Sequence, residues 1–225
     1  MKLEYLLLNF FILLGPLAMS FESQIRFVRK WRFAAPAILL VAVPYLIWDA
    51  LVTGRHWWFN EKYTLAFRLF NLPLEEWLFF LTVPFAALFI WEVINFHIKP
   101  RPSPWLQYCG FVLCLSPIRG FLFFFSGKEY TGLTFIALGA TAILDLILHT
   151  RLFAQRNLLF YLAALTLFIS ICNSYLTARP VVLYGEQYQL GLRLGTIPIE
   201  DFGYGFALIL LVTILYEKFK AISHA

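Results

Sequence analysis

Seven apolar stretches, each close to the roughly 20 residues a helix needs to cross hydrocarbon, leave this 225-residue chain few ways to fold. They run over residues 3–20, 33–52, 73–96, 105–125, 131–148, 158–176 and 199–216. Charged residues make up 14% of the chain and hydrophobic ones 61%, with a mean hydropathy of +0.74. That is too little polar surface to cover a water-soluble fold. The expectation is an all-α integral membrane protein of seven transmembrane helices. Proline recurs inside the stretches at Pro16, Pro36, Pro44 and Pro84, which membrane helices tolerate when neighbours satisfy the freed carbonyls. Arg119 and Pro117 lie within the fourth stretch, and Arg119 there has to snorkel or meet an acid. The first stretch has no small-residue cleavage site after it and reads as a retained helix.

The net charge of +5 comes from short clusters between apolar stretches, not from a basic face, so no nucleic-acid partner is expected. One set of loops carries Arg26, Arg29, Lys30, Arg32, Lys99, Arg101, Arg151, Arg156, Lys218 and Lys220. The other set is less basic, and the positive-inside rule puts the N-terminus outside and the C-terminus in the cytoplasm, in a bacterial inner membrane. Cys109, Cys114 and Cys172 sit in apolar segments, with no disulfide framework and no metal-ligand spacing. His56, His97, His149 and His224 likewise form no ligand set, and no metal is expected.

The chain also repeats itself. At an offset of 125 residues Glu4-Tyr5 meets Glu129-Tyr130, Arg26 meets Arg151, Arg68 meets Arg193, Pro73 meets Pro198, Glu75 meets Glu200, Glu76 meets Asp201 and Glu92 meets Glu217. Rare charged residues coinciding at one ungapped offset point to duplication. Each copy holds three spans, so the extra span restores parallel orientation. The expectation is a 3+1+3 chain with a first three-helix repeat at 1–100, a linking helix at 101–126 and a second repeat at 127–225.

The chemistry-bearing pattern is Arg68-x4-Pro73-Leu-Glu75-Glu76 and its partner Arg193-x4-Pro198-Ile-Glu200-Asp201. Proline followed by acids is also an ordinary helix start, favoured by the helix dipole. Its recurrence with an Arg at equal spacing favours function. Carboxyls at the edge of hydrocarbon are desolvated and hold protons, a nearby guanidinium favours ionisation, and a protonated and an ionised carboxyl make a general acid and base. Consecutive helical residues point about 100° apart, so a facing pair has to come from different copies. Trp48, Asp49, Asn173 and Tyr204 stand near the same side, with Asn173 aligned on Trp48 at the ungapped offset. Trp57-Trp58-Phe59 serve either as interfacial belt or as cavity wall, and Asp145, Glu92 and Glu217 are less specific. Gly203-Tyr-Gly205 lies inside a span and is no dinucleotide loop.

The stretches Trp48-Asp49, 54–60 (Gly-Arg-His-Trp-Trp-Phe-Asn), 72–80 (Leu-Pro-Leu-Glu-Glu-Trp-Leu-Phe-Phe) and 195–204 (Gly-Thr-Ile-Pro-Ile-Glu-Asp-Phe-Gly-Tyr) resemble the membrane-bound lycopene cyclase domain family over nearly the whole chain. The linking span is the least family-like part. The family occurs as two three-helix subunits or as their fusion, including in fungal bifunctional proteins. The resemblance implies a lycopene β-cyclase, an isomerase without cofactor that closes the ends of lycopene into β-ionone rings, giving γ- or β-carotene. It implies Glu75, Glu76, Glu200 and Asp201 as the set holding acid and base. Arg68, Arg193, Trp48, Asp49, Asn173, Pro73, Pro198 and Tyr204 would support them. The implied partners are an acyclic carotenoid, the lipid bilayer and other carotenoid-pathway enzymes. Alternatives are a 3+1+3 transporter of a small solute, or a hydratase, an ε-cyclase or a cyclase of longer carotenoids.

Overall fold

The computed structural model describes residues 2–223, so His224 lies outside the described residues. It is a mostly helical bundle: α1 (Glu4–Met19), α2 (Trp31–Val52), α3 (Leu74–His97), α4 (Pro104–Leu113), α5 (Ser116–Phe125), α6 (Glu129–Leu148), α7 (Asn157–Ala178) and α8 (Ile199–Ser223). Six segments are long and apolar enough to cross a membrane, and α4 with α5 forms one of them. The first apolar stretch gives the 16-residue α1, about 24 Å of helix, which is shorter than any of these six segments. Apolar side chains lie on the outside of the bundle as well as in it: Phe11, Leu40, Leu51, Leu122 and Phe125 are all exposed. A lipid-facing surface has this composition.

The fourth apolar stretch breaks at Cys114–Leu115, because Pro117 in the first turn of α5 cannot donate to a carbonyl of α4. Here α5 lies against α6 at unusually close range. A Cβ on Gly132 would stand 2.6 Å from the Gly120 carbonyl oxygen, and one on Gly139 would stand 2.3 Å from Pro117 Cδ. Small residues that let helix backbones meet are the usual means of association in lipid. Among the described residues Arg119 meets no acid; its guanidinium lies 5.9 Å from the centre of the Phe123 ring.

Three two-stranded ribbons stand in the loops before α3 and α8. The first joins β1 (Trp57–Phe59) to β4 (Val182–Tyr184), antiparallel, with Trp57 opposite Tyr184 and Phe59 opposite Val182. The others are hairpins: β2 (Arg68–Leu69) with β3 (Leu72–Pro73), and β5 (Arg193–Leu194) with β6 (Ile197–Pro198). Arg68 pairs with Pro73 and Arg193 with Pro198, so the Arg-x4-Pro spacing is the register of a two-residue hairpin turn. Such turns need φ > 0, which Phe70 (51°), Asn71 (65°) and Gly195 (62°) adopt. Each hairpin delivers the chain into a helix whose first turn holds two acids, Glu75 and Glu76 in α3 and Glu200 and Asp201 in α8.

Contacts between the two halves of the chain come in reciprocal pairs. Arg179 binds Glu4 at 2.9 Å and lies over the Tyr63 ring; Arg55 binds Glu129 at 2.5 Å and lies over the Tyr188 ring. The burial pattern of α7 follows that of α2 at 124 residues, not 125. Leu158, Tyr161, Leu165, Ile169 and Leu176 are buried where Ala34, Ala37, Val41, Tyr45 and Val52 are buried. The ungapped alignment therefore slips by one residue along these helices, and Asn173 stands where Asp49 stands, not where Trp48 does. At the opposite end of the bundle, Glu92 accepts hydrogen bonds from Tyr216 Oη (2.6 Å), Lys220 Nζ (2.9 Å) and Lys30 Nζ. Asp145 accepts from the Leu152 and Phe153 N–H groups and closes the turn after α6.

Candidate active site

The first turns of α3 and α8 and the β1–β4 ribbon enclose a cleft that reaches between α3, α7 and α8. Three buried carboxyls line it: Asp49, Glu76 and Asp201. Its walls are aromatic near the acids, with Tyr5, Trp57, Tyr130, Tyr184 and Tyr204. Further in they are apolar, with Val83, Leu208 and Ile209 beside Phe79 and Phe168.

The 100° turn between consecutive residues separates each acidic pair. Glu76 and Asp201 face the cleft, whereas Glu75 and Glu200, both buried, do not line it. Glu75 Oε1 accepts the Leu65 N–H at 2.7 Å, and Glu200 Oε1 accepts the Leu190 N–H at 2.7 Å together with the Thr131 hydroxyl at 2.6 Å. Each of these two acids thus ties down the loop that precedes its own helix, with the same geometry in both halves.

Inside the cleft Tyr5 Oη donates to Glu76 at 2.5 Å and Tyr130 Oη donates to Asp201 at 2.7 Å. Asp201 also accepts from Tyr184 Oη at 2.6 Å and from Asn173 Nδ2 at 3.1 Å. Burial, with the Asp201 carboxyl beside it, pushes the Tyr184 phenol well above its ordinary value and keeps it a donor. Asp49 Oδ1 accepts from Trp57 Nε1 at 2.6 Å and from the Thr53 hydroxyl at 3.0 Å, and the Asp49 carboxyl lies within hydrogen-bonding reach of Glu76. The aromatic rings meet edge to face: Trp48 with Tyr204 at 4.8 Å, Trp57 with Tyr130 at 5.1 Å and Tyr45 with Tyr204 at 5.2 Å.

Of the residues singled out from sequence, Glu76, Asp201, Asp49, Asn173 and Tyr204 converge on the cleft. Trp48 backs Tyr204 without lining it, and Pro73 and Pro198 are buried in the hairpins. Among the described residues neither arginine donates to the four acids, although the Arg193 guanidinium lies 5.8 Å from the centre of the Tyr184 ring. Arg68 donates to the Thr64 hydroxyl at 3.1 Å, while Arg193 donates to Glu186 at 2.6 Å and to the Thr196 carbonyl at 2.6 Å. Trp57 belongs to the wall. The site tyrosines Tyr5, Tyr130 and Tyr184 escape a reading centred on acids, although Tyr5 and Tyr130 coincide at the repeat offset. His56 Nε2 lies 3.0 Å from Glu129 Oε2 beside the ribbon, and burial holds its pKa below the ordinary histidine value. Among the described residues no cluster of His, Cys, Asp and Glu suits a metal ion.

The carboxyls, phenols and aromatic faces can deliver a proton to an apolar guest, shelter a cation and take a proton back. No curated protein and no solved structure matches the chain. The profile of the lycopene cyclase family matches residues 3–94 and 127–219, which together cover most of the sequence and leave out the segment around α4 and α5. On that match the chain belongs to the lycopene cyclase family.

Proposed function

We propose that this protein is a lycopene β-cyclase that closes the ends of the acyclic carotenoid lycopene by redox-neutral acid–base chemistry. The observation that carries this reading is the meeting of Glu76 and Asp201, from the starts of two different helices, in one aromatic cleft. A carboxyl protonates the terminal double bond, forming a C–H bond and leaving a tertiary cation. The next suitably placed double bond attacks that cation, and the new C–C bond closes a six-membered ring. A second carboxylate removes a proton beside the displaced cation and restores a C=C bond. Atoms and electrons balance without an oxidant, a reductant or a cofactor, and the product is an isomer of the substrate.

The faces of Trp57, Tyr130 and Tyr204 provide negative quadrupole where the cation forms. The apolar inner part of the cleft excludes water that would otherwise capture the cation as an alcohol. Glu75 and Glu200 serve by fixing the loops that carry Trp57 and Tyr184, and the two arginines by fixing the hairpins.

The proposed architecture is a duplicated 3+1+3 bundle with its pseudo-two-fold axis along the membrane normal. The reciprocal ion pairs Arg179–Glu4 and Arg55–Glu129 support it, because a two-fold relation makes residue i meet j′ and i′ meet j. The β1–β4 ribbon supports it too, since the paired strands are equivalents at the 125-residue offset and are centred on Trp58 opposite Leu183.

Expression in lycopene-accumulating bacteria, with pigments separated by liquid chromatography, tests the reading. Monocyclic or bicyclic carotene with β-rings is expected. Unchanged lycopene, with the protein verified in the membrane, would overturn it.

A further inference from the structure

The cleft is symmetric in fold and asymmetric in chemistry. Each half supplies a tyrosine from its first helix, an acid from the first turn of its third helix and a polar residue from its second helix. In one half these are Tyr5, Glu76 and Asp49; in the other they are Tyr130, Asp201 and Asn173. The burial register of α2 and α7 makes Asp49 and Asn173 equivalents, so a carboxyl in one half is an amide in the other; the halves differ also in Glu76 against Asp201 and in Phe59 against Tyr184.

The carboxyl-to-amide difference fixes where a proton fits. A carboxylate only accepts, whereas two carboxyls in hydrogen-bonding reach of each other need one proton between them. Asp201 accepts three hydrogen bonds, from Tyr130, Tyr184 and Asn173, and Asn173 presents it with an N–H that cannot act as an acceptor. Its surroundings suit the ionised form. Glu76 accepts from Tyr5 and has the Asp49 carboxyl beside it. Trp57 and Thr53 both donate to Asp49 Oδ1, so Oδ2 remains for Glu76.

We propose that the Asp49–Glu76 carboxyl pair holds the proton that starts cyclisation, with Glu76 delivering it and Asp49 positioning it, and that Asp201 is the base that ends the reaction. This rests on the cyclase reading above. In each turnover one proton leaves the Asp49–Glu76 pair for a substrate carbon, and one proton passes from a substrate carbon to the Asp201 carboxylate. Exchange with solvent then resets both halves.

The test compares wild type with Asp49→Asn, Glu76→Gln and Asp201→Asn in lycopene-containing membranes, scoring both the rate and the identity of the products against the amount of inserted protein. Asparagine at 49 still offers Oδ1 to Trp57 and Thr53, so the replacement removes the shared proton and little else. Asp49→Asn and Glu76→Gln should leave lycopene unconverted, a loss of about a hundredfold or more. Asp49→Glu should regain part of the rate. Asp201→Asn should still consume lycopene but release other products, from proton loss at a different carbon or from water capture. Asn173→Asp, which gives the base half a second carboxyl, should slow cyclisation by at least about tenfold. Wild-type rates in Asp49→Asn or in Asn173→Asp would overturn the proposal. So would an Asp201→Asn variant that leaves lycopene untouched, or a Glu76→Gln variant that diverts products. Failure of the wild-type protein to cyclise would instead overturn the function itself, so the two failures are distinct.

Discussion

Glu75 and Glu76 are neighbours in sequence with different surroundings: Glu76 lines the cleft, Glu75 holds the Leu65 N–H, and on the proposed reading only Glu76 takes part in the chemistry. Replacing Glu75 by Gln keeps an acceptor for the Leu65 N–H and should leave cyclisation within a few-fold of wild type, whereas Glu75→Ala strands that donor. The lost hydrogen bond should cost on the order of 1–3 kcal/mol, read as a lower melting temperature of the detergent-solubilised protein. A Glu75→Gln variant as inactive as Glu76→Gln would show that Glu75 shares the chemistry. His56 gives a pH prediction. Burial depresses its folded-state pKa below the ordinary 6.5, so the unfolded chain takes up the proton first as pH falls. Stability is full above that value and is lost as pH drops from it through the folded pKa. Melting temperature should therefore fall between pH 7 and pH 5 more steeply in wild type than in His56→Gln, and parallel curves would contradict this. The acids were legible in the sequence because a carboxyl pair at a span's end is rare and recurs. What the sequence could not show is which member of each pair turns inward, since that depends on the phase at which the hairpin hands the chain to the helix. The equal Arg-x4-Pro spacing that singles out Arg68 and Arg193 is the register of the two hairpins.

The helices themselves were largely readable, because length and hydropathy are local properties. The α2 span ends at Val52 and the α8 span begins at Ile199, as read from sequence. The break between α4 and α5 was not readable, since proline inside a membrane helix is tolerated in α1, α2 and α3. The close α5–α6 contact depends on Gly120, Gly132 and Gly139, whose meeting no single segment announces. At this contact Gly132→Val forces a side chain into the Gly120 carbonyl and the Phe124 backbone. Overpacking of this kind typically costs roughly 1–3 kcal/mol, so the variant should show lower thermal stability, and cyclisation should suffer only as far as the fold does. An unchanged melting temperature would mean that the two helices separate freely. The one-residue slip between α2 and α7 was likewise hidden. It opens between Arg151 and α7, closes in the loop after α7 and shows only as a phase of burial, and it is what brings Asn173 into line with Asp49.

At the scale of the whole molecule, the two halves meet through reciprocal ion pairs, the β1–β4 ribbon and a shared cleft. Residues 1–100 and 101–225 produced as separate chains in the same cell should therefore associate and cyclise lycopene, while either alone should not. Activity of one half by itself would contradict a site built from both. If carboxyls on the two halves exchange protons with a carotenoid, solvent isotope enters the product. Membranes holding the protein and unlabelled lycopene are incubated in D2O, and the cyclic product is analysed by mass spectrometry. One deuterium should be gained for each ring closed, because an exchangeable carboxyl supplies the incoming proton and a substrate hydrogen leaves to a different one. Cyclic product of unchanged mass would contradict it.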